Sequence, residues 1–173
     1  NWFTAWKVRL LIASGDLAGA EYALRAAAIT LDGEFGYPNE VEYLALARLL
    51  ITKGDFSAAE KLLTRLQVHL TSQGWMDKLI EIQILQALIC QEKGEADRAL
   101  QLIATILETT QPQAYARVYI NEGPPMAQLL YQALESNIQP EYTSRLLAAF
   151  PTTETTRSTA KPQTNLVEPL SPR

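Results

Sequence analysis

Gly15-Asp16-Leu17-Ala18-Gly19-Ala20, Gly54-Asp55-Phe56-Ser57-Ala58-Ala59 and Gly94-Glu95-Ala96-Asp97-Arg98-Ala99 carry the same punctuation three times: a glycine, an acid, three variable residues and an alanine. From Gly15 to Gly54 is 39 residues and from Gly54 to Gly94 is 40. A fixed period in this range is the signature of stacked supersecondary units. Each glycine is preceded by apolar residues at helical spacing: Ala5, Val8, Leu11 and Ile12, then Tyr43, Leu46, Ala47, Leu50 and Ile51, then Ile80, Ile84, Ala87 and Leu88. Each is followed by another such stripe at i, i+4, i+7: Ala20, Leu24 and Ala27, then Ala59, Leu63 and Leu66, then Ala99, Ile103 and Ile106.

The unit is therefore a helical hairpin. The glycine supplies the left-handed conformation that ends the first helix, and Asp16 or Asp55 caps the second and complements its dipole. The alanine five residues after each glycine lets the two helix axes approach closely, where a larger side chain would push them apart. Hairpins are predicted at about 1-31, 38-72 and 75-110, with Asp32 to Pro38 and Ser72 to Trp75 as connections and Pro38 in the first turn of a helix. Beyond Thr110 the period fails. A short segment ends at Glu122-Gly123, Pro124-Pro125 start a helix with Met126, Leu129, Leu130 and Leu134 on its apolar face, and a last amphipathic stretch runs from Tyr142 to Phe150. This part, 113-150, reads as a C-terminal helical cap on an all-α superhelix, so that 1-150 is one helical repeat domain. From Pro151 the composition turns to Pro, Thr, Ser and Glu without apolar periodicity, which predicts a disordered tail or linker over 151-173 leading to a further domain.

Composition narrows the function. Of the 173 residues 47% are hydrophobic and 20% charged, the range of a globular chain. Fifteen Lys and Arg against 19 Asp and Glu give a net charge of −4, the wrong sign for gripping a phosphate backbone. No run approaches the roughly 20 apolar residues of a membrane span, and no signal peptide opens the chain, so a cytoplasmic setting without membrane contact is expected. A single cysteine and a single histidine leave no material for an internal disulfide, a structural zinc site or an imidazole-based triad. Cys90 stands where the earlier hairpins have Leu11 and Leu50 and is expected to be a buried packing residue. His69, near the end of a second helix, reads as structural, and Glu92 with Glu95 as a solvated acid pair. No catalytic and no metal-ligating residue is predicted, and the chain is read as a non-enzyme.

The glycine-punctuated hairpins resemble tetratricopeptide (TPR) repeats lengthened to about 40 residues. Tyr119 to Leu130, Arg145 to Phe150 and the closing Glu168-Pro169-Leu170-Ser171-Pro172-Arg173 are similar to the large ATP-dependent transcriptional regulators of the LuxR family, the MalT-like group. The resemblance implies a nucleotide-binding switch module upstream, a TPR-like superhelix, a linker, and a helix-turn-helix domain opening near Pro169. It implies ATP for the absent N-terminal module only, since no Gly-x-x-x-x-Gly-Lys-Ser/Thr loop is present, and DNA contact only through the absent C-terminal domain. No cofactor is expected in this fragment. The implied role is that of a sensor and oligomerisation scaffold that receives an inducer or partner and docks on other domains of the parent regulator.

In stacked hairpins the first helices line a concave surface, and residues one repeat apart stand side by side along it. Arg9 and Arg48 are such a pair, each six residues before its glycine, with Leu88 at that place in the third repeat. Two neighbouring guanidiniums suit a carboxylate, a phosphate or an acidic peptide. Trp2, Ile12, Leu44, Thr52, Ile84 and Gln91 are the candidate flanking residues on the concave face, with Glu81 and Glu92 nearby. Trp2 and Trp6 also read as an apolar face that an upstream repeat would cover. A second reading is a protein-protein adaptor that binds a peptide or helix with no small-molecule inducer. The co-chaperone type of carboxylate clamp is disfavoured, because Ala5, Leu44 and Ile84 stand where polar partners are wanted.

Overall fold

The computed structural model describes residues 2–113 and 115–151. The linker expected at 151-173 thus lies, Pro151 apart, outside the described residues. Among those described, every regular element is helical. The first hairpin pairs α1 (Trp2–Ala13) with α2 (Leu17–Ala26), the second α3 (Glu40–Thr52) with α4 (Phe56–Gln73), the third α5 (Met76–Glu92) with α6 (Ala96–Thr110). A 3-10 turn over Gln111–Gln113 and a one-turn α7 (Arg117–Ile120) lead to α8 (Pro124–Glu135) and α9 (Pro140–Ala148). None of these helices is long and apolar enough to cross a membrane.

The turns explain the period. Gly15, Gly54 and Gly94 sit at φ 81°, 78° and 78°. At each, the glycine N–H donates to the carbonyl three residues back and the next N–H to the carbonyl five back, as in Asp16 to Leu11 at 2.9 Å, Asp55 to Leu50 at 2.9 Å and Glu95 to Cys90 at 2.8 Å. This pair of bonds satisfies the last carbonyls of the first helix and reverses the chain. Asp16 and Asp55 then accept from the Gly19 and Ala58 N–H groups, starting α2 and α4 as predicted. Glu95 is too long for that cap and instead pairs with Lys93 and Arg98. Pro38 lies in a turn two residues ahead of α3 rather than in its first turn.

The segment beyond Thr110, predicted as a helical cap, holds α8 and α9, which pair as a further hairpin. Its turn holds Asn137 at φ 59°, with Asn137 donating to Leu134 and Ile138 to Ala133 in the same bond pattern. Asparagine tolerates the left-handed region, so the repeat persists after its glycine is gone.

Packing follows the stack: α1 against α3, α3 against α5, and α8 against α5 and α6. Ala20, Ala59 and Ala99 are fully buried at the hairpin contacts. The middle helices are covered from several sides, so α3 is buried continuously from Glu42 to Leu50, whereas α1 buries only Ala5 and Val8. On α1, Trp2, Phe3, Trp6 and Leu10 are all more than half exposed.

Candidate functional site on the concave face

The site is built by α1, α3 and α5 together with the chain between α7 and α8, which crosses in front of them. α7 is anchored by Tyr119, whose fully buried hydroxyl shares a 2.6 Å hydrogen bond with Thr110 Oγ1, and by Tyr142 of α9, which donates to the Tyr115 carbonyl at 2.8 Å. Burial pushes the Tyr119 phenol far above its ordinary range, so it stays a neutral partner in that bond. Gly123, at φ 70° and ψ −150°, makes the turn from α7 into Pro124 and Pro125; a side chain is strained in that conformation. The turn presents Asn121 and Glu122 to the concave face.

Arg9 and Arg48 do stand on neighbouring helices facing this hollow, and the structure fills it with carboxylates of the chain itself. Arg48 donates from Nε to Glu122 Oε2 at 3.0 Å and from Nη2 to Glu122 Oε1 at 2.6 Å; the same Nη2 reaches Glu81 Oε1 at 2.5 Å. Arg9 donates to the Asn121 carbonyl at 2.9 Å, with its guanidinium 3.7 Å from Glu122 and 3.9 Å from Glu81. Lys78 Nζ lies 3.5 Å from the other oxygen of Glu81. The bidentate geometry is the strong form of the Arg–carboxylate pair.

Burial of Arg48 works against its charge, but Glu122 and Glu81 outweigh that and hold it above the usual arginine range. Burial likewise works against ionised Glu81, yet Arg48, Lys78 and Arg9 together keep its carboxyl below the usual value. Arg9 behaves differently. Burial, and then the like charge of Arg48, lower its pKa, and the more distant Glu122 and Glu81 offset this only in part.

The cluster divides the hollow into two cavities. One, about 510 Å³, runs past Ile12, Ile51, Thr52 and Leu88 to Pro124 and Pro125. The other, about 480 Å³, is walled by Trp2, Trp6, Leu10, Val41 and Val118, with Lys78 and Glu81 at its polar side. Arg9, Ala13, Arg48, Asn121 and Glu122 border both.

Of the predicted concave residues, Arg9, Arg48, Trp2, Ile12 and Thr52 line one or both cavities. Leu44 and Ile84 do not: they are 1% and 0% exposed in the core, because α3 and α5 are packed on several sides. Gln91 is half-buried and borders neither cavity; its Oε1 is enclosed and has no hydrogen-bond partner among the described residues. Arg48 commits its Nε and Nη2 donors to Glu122 and Glu81 rather than standing free for an anion. Lys78, Asn121 and Glu122 were not identified from sequence. Glu122 meets Arg48 across 74 positions and Asn121 meets Arg9 across 112, distances over which no local spacing carries a signal.

Elsewhere, Cys90 is buried and its thiol pushed up by that burial, and His69 packs its ring 5.7 Å from that of Phe35. Among the described residues no group of three or more His, Cys, Asp or Glu is placed to hold a metal ion.

A family model described as the MalT-like TPR region matches residues 2–136, which takes in the three glycine-turn hairpins, the Asn121–Glu122 crossing and α8. No curated protein and no solved structure matches the chain.

Proposed function

The chain belongs to the MalT-like TPR family, and from that premise we propose that it is the non-catalytic sensor and oligomerisation scaffold of a LuxR-family, MalT-like transcriptional regulator. On this reading it works in the cytoplasm, between an ATP-binding module upstream and a helix-turn-helix downstream that makes the DNA contact. Its own part is to receive an inducer or partner on the concave face and to pass that occupancy to the neighbouring domains.

The observation that carries the reading is the position of the two cavities. Both are bordered by α1, by α3, and by the α7–α8 crossing through Arg9, Arg48, Asn121 and Glu122. An occupant of either touches three separate parts of the superhelix, so its binding energy depends on how those parts sit relative to one another. That dependence is what allows a ligand to shift a conformational equilibrium. A non-catalytic role is supported by Cys90, buried as a neutral thiol, by His69, packed against Phe35, and by the internal pairing of the concave charges.

The test is calorimetric titration of the chain with a panel of metabolites, beside the variant Ala13→Trp. Ala13 is exposed at the rim of both cavities, so the added indole blocks the hollow without disturbing the core. The reading requires that a ligand found for the parent chain be lost in this variant; a ligand that binds both equally refutes it.

The adaptor reading has one observation of its own. Trp2, Trp6 and Leu10 make an exposed apolar stripe at i, i+4, i+8, a pattern that suits a partner helix. Capture of a defined protein that Ala13→Trp abolishes, with no metabolite bound, would favour it.

A further inference from the structure

The cavity beside Trp2 and Trp6 is not neutral. Around it stand three cations, Arg9, Arg48 and Lys78, and two carboxylates, Glu81 and Glu122, which leaves one positive charge in excess on a chain whose net charge is −4. The excess is localised. Arg48 gives its Nε and Nη2 donors to the carboxylates of Glu122 and Glu81, whereas Arg9 gives a single hydrogen bond among the described residues, to a carbonyl rather than a carboxylate. Its ion pairs at 3.7 and 3.9 Å are longer than hydrogen bonds, so they screen the guanidinium without filling its fork of five N–H donors. Its side chain keeps 28% exposure, and burial first and the neighbouring charge of Arg48 second lower its pKa, with Glu122 and Glu81 offsetting this only in part.

Opposite this charge the wall is apolar and aromatic. Trp2 and Trp6, ring centroids 6.2 Å apart, lie with Leu10 and Val118 along the cavity. A volume of about 480 Å³ is that of a small-molecule site.

We propose that this cavity binds a small amphipathic monocarboxylate, its carboxylate held by Arg9 with Lys78 beside it and its apolar or aromatic body against Trp2, Trp6 and Leu10. One excess positive charge is matched by one negative charge, while a dianion would overshoot it next to Glu81 and Glu122. The planar carboxylate suits the fork of Arg9. The proposal rests on the reading of the concave face as a receptor and names the ligand class for one half of it.

Of the three tryptophans, Trp2 and Trp6 border the cavity and Trp75 packs against Tyr37 away from it. In a Trp75→Phe chain, emission therefore reports on the site. Titration with 4-phenylbutyrate is expected to shift that emission saturably, with at least tenfold higher affinity than 4-phenylbutyramide, which lacks the charge, or butyrate, which lacks the ring. Arg9→Gln should bring the acid down to the affinity of the amide, Arg9→Lys should keep most of the preference, and Lys78→Gln should weaken the acid a few fold. Equal binding of acid and amide, an unchanged acid affinity in Arg9→Gln, or no shift with the acid at millimolar concentration overturns the proposal. The two ideas fail separately: a ligand lost in Ala13→Trp together with equal binding of acid and amide leaves the receptor standing and removes the carboxylate, whereas an anion that binds Ala13→Trp and the parent alike removes the receptor.

Discussion

The three glycine-turn hairpins and the segment that follows Thr110 reach order by opposite routes. In the hairpins the two helices of each pair pack on one another, α1 also on α3, and their reversals are closed by bonds spanning three and five residues. The later segment adds long-range polar contacts to the packing of α8 on α5 and α6: Tyr142 to Tyr115 across 27 positions, Glu122 to Arg48 across 74, Asn121 to Arg9 across 112. The first part provides a curved wall by local repetition. The second ties α1, α3 and α5 together across its hollow and decides which charges remain available there. The difference separates scaffold from site, and each prediction below is a way to break one without the other.

The largest effect is expected at the tie. Glu122 is 6% exposed and Arg48 10%, so Glu122→Ala strands a buried guanidinium with Glu81 alone. Removing one partner of a buried pair costs about 3 kcal/mol or more. Urea unfolding followed by circular dichroism should show that loss, while helix content before the transition stays that of the parent, because the hairpin turns do not depend on Glu122. A loss below about 1 kcal/mol would mean that the crossing is held by Tyr119 and Gly123 and not by charge. The same cluster gives a pH dependence. Glu81 has its carboxyl lowered from 4.5 in the fold, so the unfolded chain binds the proton more readily. Its contribution is complete above that value and is lost as the pH falls through the lowered one. Glu81→Gln should flatten this acid limb of stability against pH; an unchanged limb would remove Glu81 from the account.

The contrast also accounts for what the amino-acid sequence reveals. Periodicity and turn chemistry are local, so the hairpins, the buried alanines and the Asp16 and Asp55 caps are legible in it. Both helices of the last hairpin are legible too, but not their pairing as a repeat, because Asn137 takes the left-handed position that Gly15, Gly54 and Gly94 mark. The site is legible only in part. The one-repeat offset brings Arg9 beside Arg48, but Leu44 and Ile84 sink into the core because an apolar pattern does not distinguish a concave face from a face between repeats in helices covered on several sides. Glu122 closes the cluster from a loop whose position depends on Tyr119, Tyr142 and Gly123 together, and no pairwise spacing expresses that.

Within the hairpins, the next largest effect is expected at the close contact between helices. Ala59 is fully buried on α4, and Ala59→Leu forces extra methylenes between packed axes at a cost of about 2 kcal/mol. The charge cluster takes no hydrogen bond from α4, since Arg48 is held by Glu81 of α5 and Glu122 of the crossing. A double-mutant cycle of Ala59→Leu with Glu122→Ala should therefore be additive within about 0.5 kcal/mol. A larger coupling would show that strain in the wall is transmitted to the hollow, and the division drawn above would have to be abandoned.

The smallest effect tests the turn rule where it is broken. α2 ends with the same bond pattern as α4, Ile29 donating to Leu24 as Trp75 does to Leu70, but the left-handed residue is Ala28 at φ 59° where α4 uses Gly74 at φ 71°. An alanine methyl in that conformation costs roughly 1 to 2 kcal/mol, part of which a glycine returns through its larger freedom in the unfolded chain. Ala28 is exposed, so the methyl gives little packing in compensation. Ala28→Gly should raise stability by about 0.5 kcal/mol, and Gly54→Ala should lower it by about as much, since nothing lies within 4 Å of a Cβ at Gly54 and only its φ of 78° resists the substitution. Opposite signs in the two urea midpoints would place the determinant in the backbone conformation. Two losses would mean that the Ala28 methyl is engaged in packing, and the first hairpin would then owe its closure to contacts beyond the turn itself.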